Sequence, residues 1–206
     1  MDDLELIRRA QTGDEEALSR LYREYAPIAF KTVFLLVGNR HLAEDIIQET
    51  FIQVVRKING LRDPARFRPW FFQVLTNSAK ATYRRRNRHQ WLPIDFGVPN
   101  ESDLATLSPQ EHLEASEETG ELREAIRRLK PAHRTALVLH YFNGLPEHEI
   151  ARVTGCPVGT VKSRLYHARK ALEQALSQRN FNEVSTTGKS PINMTAKSGR
   201  VTTHDR

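Results

Sequence analysis

Residues 145–172 read LPEHEIARVTGCPVGTVKSRLYHARKAL. Two short helical runs flank the turn Thr154-Gly155-Cys156-Pro157. Pro146 suits the first turn of the first run. Gly155 can take the left-handed conformation that a sharp turn needs, and Pro157 fixes the entry to the second run. Val161, Leu165, Ala168 and Leu172 recur at helical spacing and predict a buried stripe. The opposite face carries Lys162, Ser163, Arg164, Tyr166, His167, Arg169 and Lys170, and no acid occurs from Ile150 to Leu172. A helix-turn-helix with a basic second helix is the arrangement that enters a DNA major groove. Thr160 and the amides at that helix start suit a phosphate. A solvated basic face on an ordinary bundle is the alternative; the turn chemistry and the missing acids favour DNA.

The stretches before it are also helical. Leu122, Ala125, Ile126 and Leu129 share one face, Pro131 punctuates, and an apolar helix over residues 132–142 ends at Asn143-Gly144. Further upstream, residues 91–118 hold four Pro or Gly, seven acids and no Lys or Arg. That composition predicts a linker. Residues 178–206 are polar and read as a disordered tail.

The N-terminal part predicts a second helical module. Residues 3–12 form a short helix stopped by Gly13, and Asp14 caps the next. Pro27 is expected to kink or break that helix, with a second run from Ile28 to Val37 ending at Gly38-Asn39. Another helix covers residues 41–58, with Leu42, Ile46, Ile47, Thr50, Phe51, Val54 and Ile58 as its buried stripe. Residues 60–66 form a loop, and a final helix runs from Phe67 to about Arg88. The fold class is therefore all-α: two small helical domains, 1–90 and 119–177, joined by a flexible linker over 91–118.

Two surfaces of the N-terminal module stand out. Asp45 and Glu49 put like charges four apart, which costs a few tenths of a kcal/mol, roughly, unless a basic partner covers them. His41, Asp45 and Glu49 align along the helix, but nothing nearby completes a metal site, so no metal and no cofactor are expected. The second surface joins Phe67-Arg68-Pro69-Trp70-Phe71-Phe72 to Asn77, Lys80 and four arginines within residues 84–88. Aromatics beside cations suit single-stranded nucleic acid, in which bases stack on rings and phosphates sit on cations. Spacing assigns most of Trp70, Phe71 and Val74 to the core and leaves Phe67, in or near the loop, open between core and surface.

Composition excludes several classes. The 206 residues carry 31 Lys and Arg against 25 Asp and Glu, a formal charge of +6, which suits a polyanionic partner. The one cysteine, Cys156, cannot form an intrachain disulfide and reads as a turn residue. The start, Met1-Asp2-Asp3-Leu4-Glu5, lacks signal-peptide features, and no apolar run is long enough to span a bilayer. A cytoplasmic protein without membrane insertion is expected. No nucleophile–base pair and no glycine-rich phosphate loop appear, so no enzymatic activity is expected.

Taken together, Ala43-Glu-Asp-Ile-Ile-Gln-Glu-Thr-Phe51, Phe67-Arg-Pro-Trp-Phe71 with Asn77, Leu137-Val-Leu-His-Tyr-Phe142, and Glu149-Ile-Ala151 through Pro157 to Arg169 resemble the extracytoplasmic-function group of bacterial RNA polymerase sigma factors. The resemblance spans about residues 4–176. It implies a region-two domain and a region-four domain that direct core RNA polymerase to promoter DNA. It implies that Glu44, Asp45, Gln48, Glu49 and Phe51 dock on core polymerase. Arg62, Arg66, Phe67, Arg68, Trp70, Asn77, Lys80, Arg84, Arg85 and Arg88 would open and read the minus-ten element. Thr160, Lys162, Ser163, Arg164, Tyr166, His167, Arg169 and Lys170 would read the minus-thirty-five element. An anti-sigma factor is an expected further partner. A stand-alone helix-turn-helix regulator is the alternative. Ala81 stands where many relatives carry Asp or Asn, and Thr154 where an apolar residue usually packs.

Overall fold

The structure, a computed structural model, describes residues 3–86 and 117–186. The greater part of the predicted linker, Arg88 and residues 187–206 lie outside the described residues. All regular elements among those described are helical.

Helix α1 (Asp3–Gln11) buries Leu6, Ile7 and Ala10. Gly13 makes the turn at φ 85°. Asp14 then caps α2 (Glu15–Val37), accepting from the Glu16 and Ala17 amides at 3.0 and 3.1 Å. The Ala17 amide, then the Arg9 guanidinium, hold the Asp14 carboxyl below the ordinary carboxylate range.

The expected break at Pro27 does not occur: α2 is one helix of 23 residues. Pro27 is exposed, so its ring meets solvent rather than a packed neighbour. Leu21 on one side and Ala29, Val33 and Leu36 on the other are all buried. Apolar side chains at about 1.5–3 kcal/mol each outweigh the roughly 3 kcal/mol of an interior proline.

Gly38 ends α2 in the left-handed conformation, its amide donating to the Phe34 carbonyl at 2.8 Å. Asn39 caps α3 (Arg40–Lys57) through the Leu42 amide. Two 3₁₀ turns, Ile58–Gly60 and Pro64–Arg66, fill the predicted loop. The Gln11 amide donates to the Ile58 and Leu61 carbonyls and ties α1 to that loop. Helix α4 (Phe67–Arg86) closes the module.

The second group begins with α5 (Glu117–Arg128) and α6 (Pro131–Leu137), which continues as a π-helical turn, Val138–Phe142. Then come α7 (Glu147–Thr154) and α8 (Val158–Thr186). Gly155, at φ 70°, makes the expected sharp turn between them. The backbone of α8 remains helical to Thr186, past the predicted end at 177. The two groups are packed together: α2 meets α5 and the π turn, and α4 meets α7.

An aromatic cluster lies at the centre of the first group. Phe71 and Phe72 are fully buried. Phe71 meets Tyr25 at 4.9 Å, Phe51 at 5.7 Å and Phe67 at 6.0 Å between ring centroids. These contacts join α2, α3 and α4. Phe71→Ala should therefore cost about 3–5 kcal/mol, read as a lower urea midpoint with the slope unchanged.

Candidate nucleic-acid interface

The recognition face on α8 follows from its stripe. Val161, Leu165 and Ala168 are buried, which leaves Lys162, Ser163, Tyr166, His167, Arg169 and Lys170 exposed. Thr160 and Arg164 are half-buried. Lys162 reaches Glu147 of α7 at 3.7 Å, an exposed pair that DNA can exchange at little cost. His167 stacks on His133 of α6 at 5.7 Å, and Tyr166 sits edge-on to His167. Those ring contacts fix the outer face of the helix.

The turn is well satisfied. Thr154 donates to the Ile150 carbonyl at 2.7 Å and lies 3.2 Å from the Cys156 sulfur. A hydroxyl at this usually apolar place is thus not left without a partner. The Arg164 guanidinium donates to the Cys156 Sγ at 3.5 Å, and this long contact orients it at the start of the recognition helix.

On α4 the predicted residues divide. Phe67 is 1 % exposed and packs against Tyr25, Trp70 and Phe71. Its place among the residues expected to read the minus-ten element is corrected: packing on Tyr25, Trp70 and Phe71 turns the ring inward. Trp70 is half-buried at the edge of the same cluster. Arg62, Arg66, Arg68, Asn77, Arg84 and Arg85 are exposed. Arg66 pairs with Asp63 at 3.2 Å, and Arg85 donates to the Thr82 hydroxyl. Arg68 is already engaged, donating to the Asn143 carbonyl at 2.5 Å. Lys80 is half-buried; burial, then Arg84 and Arg164, push its ammonium below the ordinary lysine range.

The acidic face of α3 is uneven. Glu44 is bridged by Arg40 at 3.1 Å, and Glu49 accepts from the Gln53 amide at 2.9 Å. Asp45 is exposed and has no ion-pair partner among the described residues, and Gln48 is exposed beside it. Phe51 is half-buried, with its ring against Tyr22 and Phe71. The face continues into apolar residues that sequence reasoning did not single out: Ile52 and Val55 are 46 % and 54 % exposed. Their signal was the spacing 45, 48, 52, 55, one stripe of the helix. Glu49, Gln53 and Lys57 of α3 and Asn77, Ala81 and Arg85 of α4 line one open cleft, so the two predicted N-terminal surfaces adjoin.

Among the described residues, no cluster of His, Cys, Asp and Glu is placed to hold a metal, and no helix is long and apolar enough to cross a membrane. The arrangement offers charged, shaped surfaces for macromolecules.

Comparison with known proteins agrees with this anatomy. Residues 21–89 match the family described as Sigma-70 region 2, and residues 119–172 match Sigma-70, region 4. The chain is 33% identical to the RNA polymerase sigma-H factor of Pseudomonas aeruginosa over 183 residues, covering 84% of this chain and 93% of that one. It is 34% identical to the ECF RNA polymerase sigma factor SigE of Mycolicibacterium smegmatis over 173 residues, 81% of this chain and 65% of that longer one. Among solved structures, the sigma factor RpoE of Bartonella quintana, in complex with the anti-sigma factor NepR, has a TM-score of 0.63 at 22% identity. That alignment covers 77% of this chain and 96% of the other, and the likeness concerns the fold.

Lys80 supplies a test of the site's electrostatics. Its charged form is disfavoured in the folded chain, so the penalty is complete below its depressed folded-state value and vanishes above the ordinary value of 10.5. Lys80→Met should raise the urea midpoint at neutral pH, and the gain over the wild-type chain should shrink as pH rises toward that ordinary value. An equal midpoint at all pH values would contradict the desolvation.

Proposed function

Because the chain belongs to the sigma-70 family of RNA polymerase sigma factors, in its extracytoplasmic-function group, we propose a division of labour among its surfaces. The protein binds core RNA polymerase, directs it to specific promoters and assists promoter melting. It is a transcription initiation factor that works in the cytoplasm without catalysis of its own. The observation that carries this reading is the presence of both family segments, in order, on one chain of charged helical faces.

In this reading domain 1–90 docks on core polymerase through Glu44, Asp45, Gln48, Glu49 and Phe51. Asp45 supports the assignment, since an exposed carboxylate without an internal pair is free for a basic partner. Ile52 and Val55 add apolar area to the same stripe. Charged residues at such a rim set encounter and orientation, and the buried apolar contacts slow dissociation.

The α4 surface receives the minus-ten element. Arg62, Arg66, Arg68, Lys80, Arg84, Arg85 and Arg88 hold phosphates, Asn77 meets bases at the cleft, and Trp70 meets them at the partly exposed edge of the aromatic cluster. Phe67 acts from beneath, by holding Trp70. Domain 119–177 reads the minus-thirty-five element through residues 160–170. Arg164 and Lys162 suit guanine edges, and Arg169 and Lys170 suit phosphates. The acidic segment 91–118 runs between the domains along polymerase channels that accept polyanions. An anti-sigma factor is a further partner, as the Bartonella relative has.

Run-off transcription with core polymerase on a genomic fragment library, with sequencing of the start sites, tests the proposal. Core-dependent starts sharing two spaced elements are expected. A chain that binds duplex DNA but fails to bind core in a pull-down would be a stand-alone regulator instead. The double change Asp45→Lys and Glu49→Lys should abolish core binding with the helical circular dichroism unchanged. Arg164→Ala should weaken use of the upstream element by about 1–3 kcal/mol at one base position, as expected of a bidentate contact. A uniform loss across promoters would mark Arg164 as a phosphate contact.

A further inference from the structure

The turn between α7 and α8 carries more polar contact than a chain reversal requires. The reversal is complete in the backbone: Gly155 adopts φ 70°, and the Gly155 and Cys156 amides both donate to the Ala151 carbonyl. Side chains add a second set of bonds. The Thr154 hydroxyl donates to the Ile150 carbonyl at 2.7 Å. Its oxygen also lies 3.2 Å from the Cys156 Sγ, and that sulfur lies 3.5 Å from Nη1 of Arg164. Ile150 and Thr154 belong to α7, Cys156 to the turn and Arg164 to α8, so the whole set lies within one module.

Proton counting gives this set a direction. A hydroxyl has one hydrogen, and that of Thr154 is committed to Ile150. The contact between Thr154 and Cys156 therefore uses the thiol hydrogen, with the Thr154 oxygen accepting. The S–H is turned away from Arg164, and the sulfur lone pairs are left to accept from the guanidinium. Cys156 is half-buried against the core, so the sulfur is a fixed post. Arg164 is half-buried, and this is its one hydrogen bond among the described residues. With Nη1 on sulfur, the Nε–Nη2 edge keeps two parallel N–H groups, the fork that meets O6 and N7 of guanine. An arginine held before it binds gives up less rotamer freedom on a base.

We propose that Thr154 and Cys156 are positioning residues for base readout: through the Cys156 sulfur they hold the Arg164 guanidinium in the orientation that discriminates one base of the upstream element. The proposal rests on the reading of α8 as the helix that meets promoter DNA. It gives a use to the hydroxyl at position 154, where an apolar residue usually packs. An apolar side chain there would free the thiol hydrogen to turn toward Arg164, and donor would then face donor. Neither Thr154 nor Cys156 touches DNA, so their effect reaches a single base position, through Arg164 alone.

The test uses the full chain and duplexes enriched from a random pool, by the holoenzyme if the chain binds core polymerase and by the chain alone if it does not. Affinity is then measured for every single-base change in the enriched element. Cys156→Ala should reduce the preference at the base that Arg164→Ala also affects, by about two- to fivefold, with the other positions and the circular dichroism unchanged. Thr154→Val should give a smaller loss at that same base. Cys156→Ser, whose hydroxyl oxygen can accept from the guanidinium, should keep most of the preference. Added to Arg164→Ala, Cys156→Ala should have no further effect, since the side chain it positions is gone. A loss spread evenly over all base positions, or a Cys156→Ala effect that persists without Arg164, would mark a structural role for the turn and overturn the proposal. Should Cys156→Ala fail to fold, Thr154→Val decides: a base profile equal to that of the wild-type chain overturns it. Failure to bind core would refute the sigma reading while the base profile still decides the proposal. No enriched duplex at all would refute the DNA reading of α8, and the proposal with it.

Discussion

The packing of Phe71 against Tyr25, Phe51 and Phe67 is the constraint on which the N-terminal module depends. One ring touches α2, α3 and its own helix, so the relative rotation of three helices is settled at a single point. With apolar faces turned inward, α3 must present Asp45, Gln48, Ile52 and Val55, and α4 must present Asn77, Arg84 and Arg85. The outer surfaces follow from the core. This also explains why Phe67 cannot serve as a free base-stacking ring: removing it would open the cluster that orients every residue around it. Its contribution to the α4 surface passes through Trp70, whose ring lies 5.7 Å away and remains partly exposed.

The C-terminal module solves the same problem with backbone geometry. Gly155 reverses the chain in a conformation that disfavours other residues, and the Gly155 and Cys156 amides both donate to the Ala151 carbonyl. Val161, Leu165 and Ala168 then fix which arc of α8 is dry. The remaining arc has no choice but to face water or a ligand, and its side chains are basic or hydroxylic. An arc of that composition has low self-affinity and high affinity for phosphate, which separates its interaction chemistry from that of the acidic and apolar α3 stripe.

What could be read from the residues was local and periodic. The helix-turn-helix, the cap at Asp14, the stop at Gly38-Asn39, and the stripes of α3 and α8 depend on residue types a few positions apart, and the structure has them, with Phe51 and Leu172 only half-buried. Pro27 misled because a local rule was applied to a helix whose tertiary burial outweighs it. Phe67 misled because a helix that begins on it leaves the ring's direction open, and only its tertiary partners Tyr25, Trp70 and Phe71 turn it inward. The Arg134–Leu36 contact was invisible for a deeper reason. A guanidinium seeking a backbone carbonyl 98 residues away leaves no trace in side-chain identity. The same holds for Arg68 and the Asn143 carbonyl: every residue has a carbonyl, so sequence alone cannot say which one is chosen.

The chemistry of that junction bears on how the modules work together. Arg134 donates to the Leu36 carbonyl, Asn143 to the Thr32 hydroxyl and Arg68 to the Asn143 carbonyl, beside apolar side chains of one continuous core. Beside it, burial first and then Arg84 and Arg164 lower the Lys80 ammonium below its ordinary range. The two modules are therefore joined both by side-chain hydrogen bonds to distant carbonyls and by one continuous apolar core.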